Sequence, residues 1–178
     1  MDSEPNPKVI LVDENDNQIG VEDKLLAHSN GGKLHRAISI FIFNSKGETM
    51  LQKRASTKYH TPSKWTNTCC SHPNPGESVA DASHRRLKEE MGFDCDLQEK
   101  FSFVYHAEVG NGLKENEFDH VFFGMYDKAP NPNPKEADDW KWVTLENLQS
   151  DIKSNPDLYT PWLKIVIDKV AKERSNQN

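Results

Sequence analysis

The chain has 178 residues, of which 28% are charged, and a net charge of −6, which fits one compact domain with a polar surface. The negative charge argues against sequence-independent nucleic-acid binding, and no apolar run approaches the roughly 20 residues that span a bilayer. The amino terminus lacks the basic and apolar regions of a secretory signal, so a cytoplasmic location is expected. We expect a single domain over residues 1–178, monomeric by default, with loosely ordered tails at 1–7 and about 174–178.

The amino-terminal half is predicted to contain three strands and a long loop. Residues 8–13 form a short apolar strand that ends in a polar turn. Residues 35–43 carry apolar side chains on both faces, which is typical of a strand buried on both sides. A glycine-containing turn at 44–47 leads to a partner strand over 48–54. The segment 56–76 has three prolines and little periodicity, which indicates a loop.

The carboxy-terminal half is predicted to alternate between strands and helices. A helix over 77–91 has apolar residues at 3–4 spacing and ends at Gly92. Strands follow at 101–108, 117–126 and 140–143. Thr144 caps a short helix, and Pro161 begins a last one that continues to about residue 174. This order predicts an α/β (α+β) domain with a mixed sheet and helices packed on it.

Five side chains of metal-binding type fall in short, separate segments. The two glutamates are two residues apart at the start of a predicted strand, so both carboxylates project from one face and repel each other unless a cation lies between them. Three imidazoles and two carboxylates would suit a divalent metal. The spacing matches no zinc-finger or HExxH motif, so ordinary surface or core histidines remain an alternative. The five residues are His28, His35, His72, Glu115 and Glu117.

Two adjacent cysteines lie beside the third histidine. Side chains alternate along an extended segment, so only Cys70, two residues before His72, can face the same side as that imidazole. We therefore expect Cys70 in the site. The third cysteine, Cys95, is most simply a core residue.

The predicted helix over 77–91 places Arg86 and Glu90 four residues apart on one face. An exposed ion pair is one interpretation, and a phosphate contact by Arg86 with a metal contact by Glu90 is the other. Lys24, Arg54 and Lys58 add cations near the other candidate residues. Cations gathered near acidic groups would suit a diphosphate bridged by a divalent cation.

The same helix resembles the Nudix box, G-x5-E-x7-R-E-U-x-E-E-x-G-U, in which U is a bulky apolar residue. Two positions depart from it: Ser71 replaces the first glycine, and Arg86 replaces a metal-binding glutamate. The resemblance implies a Nudix-like mixed sheet sandwiched by helices, with altered chemistry. The matching residues are Glu77, Arg85, Leu87, Glu89, Glu90, Gly92 and Phe93.

A second resemblance covers nearly the whole chain, from about Asp23 to Trp162. The segment 65–73, WTNTCCSHP, is similar to the cysteine motif of the type I isopentenyl-diphosphate isomerases, and 115–117, ENE, is similar to their glutamate motif. His28, His35, Tyr105 and Trp162 lie at the family's spacing. These motifs occur in the family's order.

The resemblance implies an enzyme that interconverts isopentenyl and dimethylallyl diphosphate by a 1,3-proton shift through a tertiary carbocation. His28, His35, His72, Glu115 and Glu117 would hold one divalent metal, Mg²⁺, Mn²⁺ or Zn²⁺. Glu90 and the Cys70 carbonyl would contact a Mg²⁺ carried by the substrate. Lys24, Arg54, Lys58 and Arg86 would clamp the diphosphate. Cys70 and Glu117 would be the acid–base pair, with Tyr105 and Trp162 at the hydrocarbon end.

Two other functions are compatible with parts of the pattern. A Nudix hydrolase of a nucleoside diphosphate derivative would keep the box but would not need the Cys70 and Glu117 pair. A metal-stabilised binding module would keep the metal site without catalysis. The sequence favours the isomerase, in which either Cys70 or Glu117 could protonate the alkene. Trp162 could stabilise the cation or simply be a core aromatic residue.

Overall fold

The computed structural model describes residues 7–177, so most of the expected loose tails, residues 1–6 and 178, lie outside it. The strands are β1 Lys8–Val12, β2 Gln18–Asp23, β3 His35–Phe43, β4 Glu48–Arg54, β5 Trp65–Thr66, β6 Cys69–Ser71, β7 Leu97–Gly110, β8 Leu113–Met125 and β9 Ala137–Thr144. The helices are α1 Lys24–His28, α2 Val79–Met91, α3 Leu145–Ser154 and α4 Pro161–Ser175, with a 3₁₀ turn at Pro156–Leu158. No helix in the described range is long and apolar enough to cross a bilayer.

The nine strands of the described residues join in one mixed sheet with β3 at its centre. β3 pairs in parallel with β8 along its full length and antiparallel with β1, β4 and β6. β7 forms a long antiparallel hairpin with β8, and β9 pairs with β4. The predicted mixed sheet is therefore confirmed.

Helices cover both faces of this sheet. On one face Ile38 and Ile40 of β3 pack with Leu87 of α2. On the other face Phe41 and Phe43 of the same strand pack with residues of α3 and α4. Burying each such side chain contributes roughly 1.5–3 kcal/mol, which explains why β3 is apolar on both sides.

Helix α2 begins and ends on strong local signals. The Ser78 hydroxyl accepts a hydrogen bond from the backbone N–H of Asp81 at 3.0 Å, so the helix starts at Val79, two residues later than predicted. Gly92 follows with φ of 75° in the left-handed region, as the pattern predicted. A Cβ atom at Gly92 would collide with the backbone of Asn131. This glycine therefore allows the loop before β9 to pack against the end of α2.

Three features were not predicted correctly. Strand β2 and helix α1 were missed, because β2 is a largely exposed strand at one end of the sheet and α1 is only five residues long. The loop over 56–76 contains β5 and β6, which exist because they pair with β4 and β3. Strand β7 starts at Leu97 rather than at residue 101, and β8 at Leu113 rather than at 117. The ends of this hairpin are polar, so the apolar pattern of the sequence did not indicate how far the two strands extend.

Candidate active site

The five predicted metal-binding side chains lie together. Their potential ligand atoms are all within 4.8 Å of one another, and four of the five residues are buried. His28 ends α1, His35 begins β3, His72 follows β6, and Glu115 and Glu117 lie on β8. Segments distant in sequence are joined here because β3 and β8 are parallel neighbours, with His35 in register with Glu117.

The hydrogen bonds of two imidazoles aim their Nε2 atoms at carboxylates. Nδ1 of His28 donates to the Lys24 carbonyl at 2.6 Å, and Nδ1 of His35 donates to the Lys33 carbonyl at 2.7 Å. In the neutral ring this leaves a lone pair on Nε2. These nitrogens lie 3.0 Å from Glu115 and 3.4 Å from Glu117.

A lone pair facing a carboxylate repels it unless a cation lies between them. The Nε2 atoms of His35 and His72 are also only 3.2 Å apart. Mixed imidazole and carboxylate ligands are typical of divalent ions such as Zn²⁺, Mn²⁺ and Mg²⁺ to different degrees. The residues present therefore fit one divalent cation.

The electrostatics of the cluster favour ligand forms. Burial raises the pKa of Glu117, but without a metal a proton on His35 takes the place of the cation, and with the hydrogen bonds of Glu115 and Tyr105 it lowers that pKa below its usual value. Burial holds the pKa of His72 well below its usual value. An ionised carboxylate and a neutral imidazole are the forms that bind a metal.

Cys70 lines the cavity beside this cluster, whereas Cys69 is fully buried in the core against α2. The Cys70 thiol donates to Oδ1 of Asn67 at 2.8 Å and accepts from Nε1 of Trp162 at 3.1 Å. Burial and the nearby Asp119 raise the pKa of Cys70 to about 12. The thiol therefore holds its proton at neutral pH.

Tyr105 and Trp162 form an apolar wall next to Cys70. Both are at least 95% buried, and they belong to one small hydrophobic cluster with Val109. The Tyr105 hydroxyl donates a hydrogen bond to Oε2 of Glu117 at 2.6 Å. The histidines contact the other oxygen of this carboxylate, Oε1. The arrangement suits an apolar group lying between a thiol and a carboxylate.

All four predicted cations line the same small cavity, whose volume is about 70 Å³. The Arg54 guanidinium carbon lies 5.3 Å from the centre of the Trp162 ring, and its nitrogens donate to the carbonyls of His60 and Thr61. Burial lowers the pKa of Lys24, and the negative charge of the nearby Glu115 partly offsets this lowering. The cavity therefore combines cationic side chains with an aromatic wall, and Arg54 lies against that wall.

Arg86 and Glu90 form the ion pair that the helix spacing allowed, and they do so inside the cavity. Arg86 donates to Oε1 of Glu90 at 2.5 Å, and Gln52 donates to Oε2 at 2.9 Å. Glu90 is only 4% exposed. The pair therefore forms, but it is largely buried rather than exposed, and it faces the cavity where it could meet a ligand.

Several residues of the site were missed, among them Gln52, Asn67, His60 and Glu136. Asn67 lies inside the cysteine motif, and its position in that motif is the one signal that could have pointed to it. His60 and Glu136 come from irregular loops and line the cavity. Burial lowers the pKa of His60 to about 3, and its Nε2 lies 3.7 Å from Glu115. No pattern marked either loop residue.

Comparison with known proteins supports both fold and family. Residues 33–163 match the model of the NUDIX domain. The chain is 59% identical over 163 residues to isopentenyl-diphosphate Delta-isomerase 1 of Aromatoleum aromaticum, covering 92% of each protein. It is 56% identical to isopentenyl-diphosphate Delta-isomerase 2 of the same organism, covering 94% of this chain and 88% of that protein. The Serratia proteamaculans isopentenyl-diphosphate Delta-isomerase is 48% identical, with 93% and 92% covered.

Solved structures show the same fold at low identity. DR0079 of Deinococcus radiodurans superposes with a TM-score of 0.78 at 20% identity, covering 91% of this chain and 98% of that one. A MutT protein of Methanosarcina mazei has a TM-score of 0.65 at 18% identity, covering 79% and 95%. These likenesses establish the architecture.

Proposed function

The chain belongs to the isopentenyl-diphosphate Delta-isomerase family of NUDIX-domain proteins, and we propose that it interconverts isopentenyl and dimethylallyl diphosphate with the residues of this cavity. The observation that carries the proposal is that Cys70 and Glu117 border one cavity that is apolar near Tyr105 and Trp162 and cationic at Lys58 and Arg86, with Arg54 in contact with the Trp162 ring. A short hydrocarbon on a diphosphate has the same two ends.

The reaction needs two positioned proton-transfer groups. An alkene is a very weak base, so one group must deliver a proton while another removes one two carbons away. Cys70, which holds its proton, is suited to donate one, and Glu117, as a carboxylate, is suited to accept one. Tyr105, which donates to Glu117, would hold that carboxyl in place. In a reversible 1,3-shift the group that donates a proton in one direction accepts it in the other, so Cys70 and Glu117 would exchange both proton and role between the forward and reverse reactions.

Protonation of the alkene produces a tertiary carbocation that water would trap. The site must therefore exclude water and stabilise positive charge without a nucleophile. The indole face of Trp162 can contribute roughly 2 kcal/mol or more to such a cation when desolvated. Trp162 is 4% exposed and fixed by hydrogen bonds to Thr66 and Cys70, so its ring is held in one orientation.

The histidine and glutamate cluster would hold one divalent metal, whose charge would tune the proton affinity of Glu117. Lys24, Arg54, Lys58 and Arg86 would bind the diphosphate, and Glu90 with the Cys70 carbonyl would contact its Mg²⁺. The identity of the cluster's metal, the monomeric state, the lack of nucleic-acid binding and the cytoplasmic location remain predictions from the sequence.

Nudix hydrolysis is the less favoured function. Arg86 replaces a metal-binding carboxylate of the Nudix box and forms ion pairs with Glu89 and Glu90. A cation at that position suits binding of a diphosphate better than binding of the metal that hydrolysis requires.

The test is proton NMR of isopentenyl diphosphate incubated with the purified, metal-loaded protein and Mg²⁺ in D₂O. New dimethylallyl methyl signals with incorporated deuterium are expected. A Cys70→Ser variant, with its metal content measured, serves as the matched control and should give no such signals. Unchanged substrate with the metal bound, or release of inorganic phosphate, would contradict the proposal.

A further inference from the structure

A carboxylate lies among the cations of the cavity. Glu136 immediately precedes β9, and its Oε2 accepts a hydrogen bond from Nζ of Lys58. Its other oxygen lies 3.3 Å from the NH2 nitrogen of Arg86. The side chains of Glu136 and Arg86 are each 19% exposed, and that of Lys58 is 25% exposed. Glu136 thus joins two of the four cations that the diphosphate would use.

The backbone around Glu136 is held in place. Its carbonyl accepts from the N–H of Ala55 at the end of β4, and its N–H donates to the carbonyl of Asn133, both at 2.9 Å. The N–H of Asn133 in turn donates to the carbonyl of Glu90 at the end of α2. Rotation of side chains, without any movement of this backbone, can therefore separate the Glu136 carboxylate from Lys58 and Arg86.

Glu136 carries its negative charge at neutral pH. Burial raises its pKa, but the hydrogen bond and charge of Lys58 outweigh that effect and lower it. A carboxylate and a diphosphate are alike in offering paired anionic oxygens to ammonium and guanidinium donors. Both cannot occupy these donors without strong repulsion between like charges.

We infer that Glu136 is an internal competitor of the diphosphate, which limits the affinity of the cavity for substrate and product alike. This inference rests on the proposed function, because it assigns Lys58 and Arg86 to the diphosphate. Substrate and product carry the same diphosphate, so Glu136 weakens binding of both equally. Such a residue raises KM without accelerating the proton transfer itself.

The matched experiment compares Glu136→Gln with Glu22→Gln in the metal-loaded protein. Glu22 forms an ion pair with Lys33 at 2.6 Å outside the cavity and is the control. Isothermal titration with inorganic diphosphate and Mg²⁺ gives Kd without any influence of the hydrocarbon. Glu136→Gln should lower this Kd and the KM for isopentenyl diphosphate by roughly tenfold, which corresponds to loss of one half-buried charge contact. Its kcat should not rise, and Glu22→Gln should change neither constant.

A third variant, Lys58→Ala, separates the two hypotheses. If Lys58→Ala weakens diphosphate binding but Glu136→Gln leaves Kd unchanged, the competitor role is wrong and the diphosphate site stands. If Glu136→Gln weakens binding in proportion to the Mg²⁺ concentration, Glu136 is a contact of the ion and the inference is overturned. If Lys58→Ala has no effect on Kd, the diphosphate lies elsewhere and both hypotheses fail.

Discussion

His35 and Glu117 occupy matching register positions on the parallel strands β3 and β8, and Nε2 of His35 lies 3.4 Å from Oε1 of Glu117. His72 reaches the same oxygen at 2.9 Å. The other oxygen, Oε2, receives the hydroxyl of Tyr105. One carboxylate therefore faces the histidine imidazoles with one oxygen and the wall formed by Tyr105 and Trp162 with the other. This division allows a single residue to bind a metal and transfer a proton.

Substitution of the two cluster glutamates should separate metal binding from proton transfer. Glu115→Gln and Glu117→Gln each remove one anionic ligand, so both should lower the metal content measured by atomic emission. Excess metal should restore much of the turnover of Glu115→Gln. It should not restore Glu117→Gln, because an amide cannot accept and return the proton. Equal recovery of the two variants would remove the acid–base role of Glu117.

The neighbouring cysteines should differ sharply. Cys70→Ser replaces the thiol with a far weaker acid and should reduce turnover by at least 10³-fold at unchanged metal content. Cys69→Ser places a hydroxyl in the core beside α2, so it should cost about 1–3 kcal/mol of stability while retaining turnover per folded molecule. Kinetics and urea unfolding of both variants provide the measurement. The reverse pattern would show that the wrong cysteine has been assigned.

Trp162 offers two separable contributions. Trp162→Phe keeps an aromatic face but loses the hydrogen bonds to Thr66 and Cys70, and it should lower kcat moderately, by roughly tenfold. Trp162→Leu also loses the face and should lower kcat by a further factor of about 30. If leucine and phenylalanine gave equal rates, the cation–π contribution would be absent. Metal content and folding should be unchanged in both.

Tyr105→Phe removes a single hydroxyl from the Glu117 carboxylate. A hydrogen bond to a charged group contributes roughly 1.5–3 kcal/mol, so kcat should fall about 10- to 100-fold with little change in KM. If KM rose instead and kcat stayed normal, Tyr105 would only shape the cavity. Steady-state kinetics at saturating Mg²⁺ distinguish the two.

Two glycines with left-handed backbones provide a test of the contact between α2 and the loop before β9. Gly92 has φ of 75° and Gly47 has φ of 79°, but only at Gly92 would a Cβ atom meet other atoms within 4 Å, those of Asn131. Gly47→Ala should cost about 1 kcal/mol from backbone strain alone. Gly92→Ala should cost at least about 2 kcal/mol more, measured by urea unfolding. If the two substitutions lowered the free energy of unfolding by similar amounts, the loop before β9 would be able to move away from α2 at little cost.

The site could be predicted from the sequence in two ways: the cysteine motif came from a family resemblance, and other pairs lie in regular elements. The 3–4 spacing of α2 and the two-residue spacing of Glu115 and Glu117 fix side-chain faces, and the structure agrees with both. Glu136 and His60 were not predicted, because their loops are positioned by tertiary hydrogen bonds, such as that between Ala55 and Glu136, that no sequence pattern indicates. Strand β6 escaped for the same reason, since its three residues exist as a strand only through pairing with β3.

The scattered origin of the cluster's ligands has a thermodynamic consequence. Since α1, β3, the segment after β6 and β8 each contribute, the five donor atoms converge only after the parallel pairing of β3 and β8 has formed. An ion that binds these five donor atoms in the folded protein, and not the denatured chain, stabilises the fold by mass action. The free energy of unfolding then rises with the logarithm of the ion concentration. If the cluster holds a metal as proposed, we expect the availability of that metal to set the stability of the fold as well as the rate of the reaction.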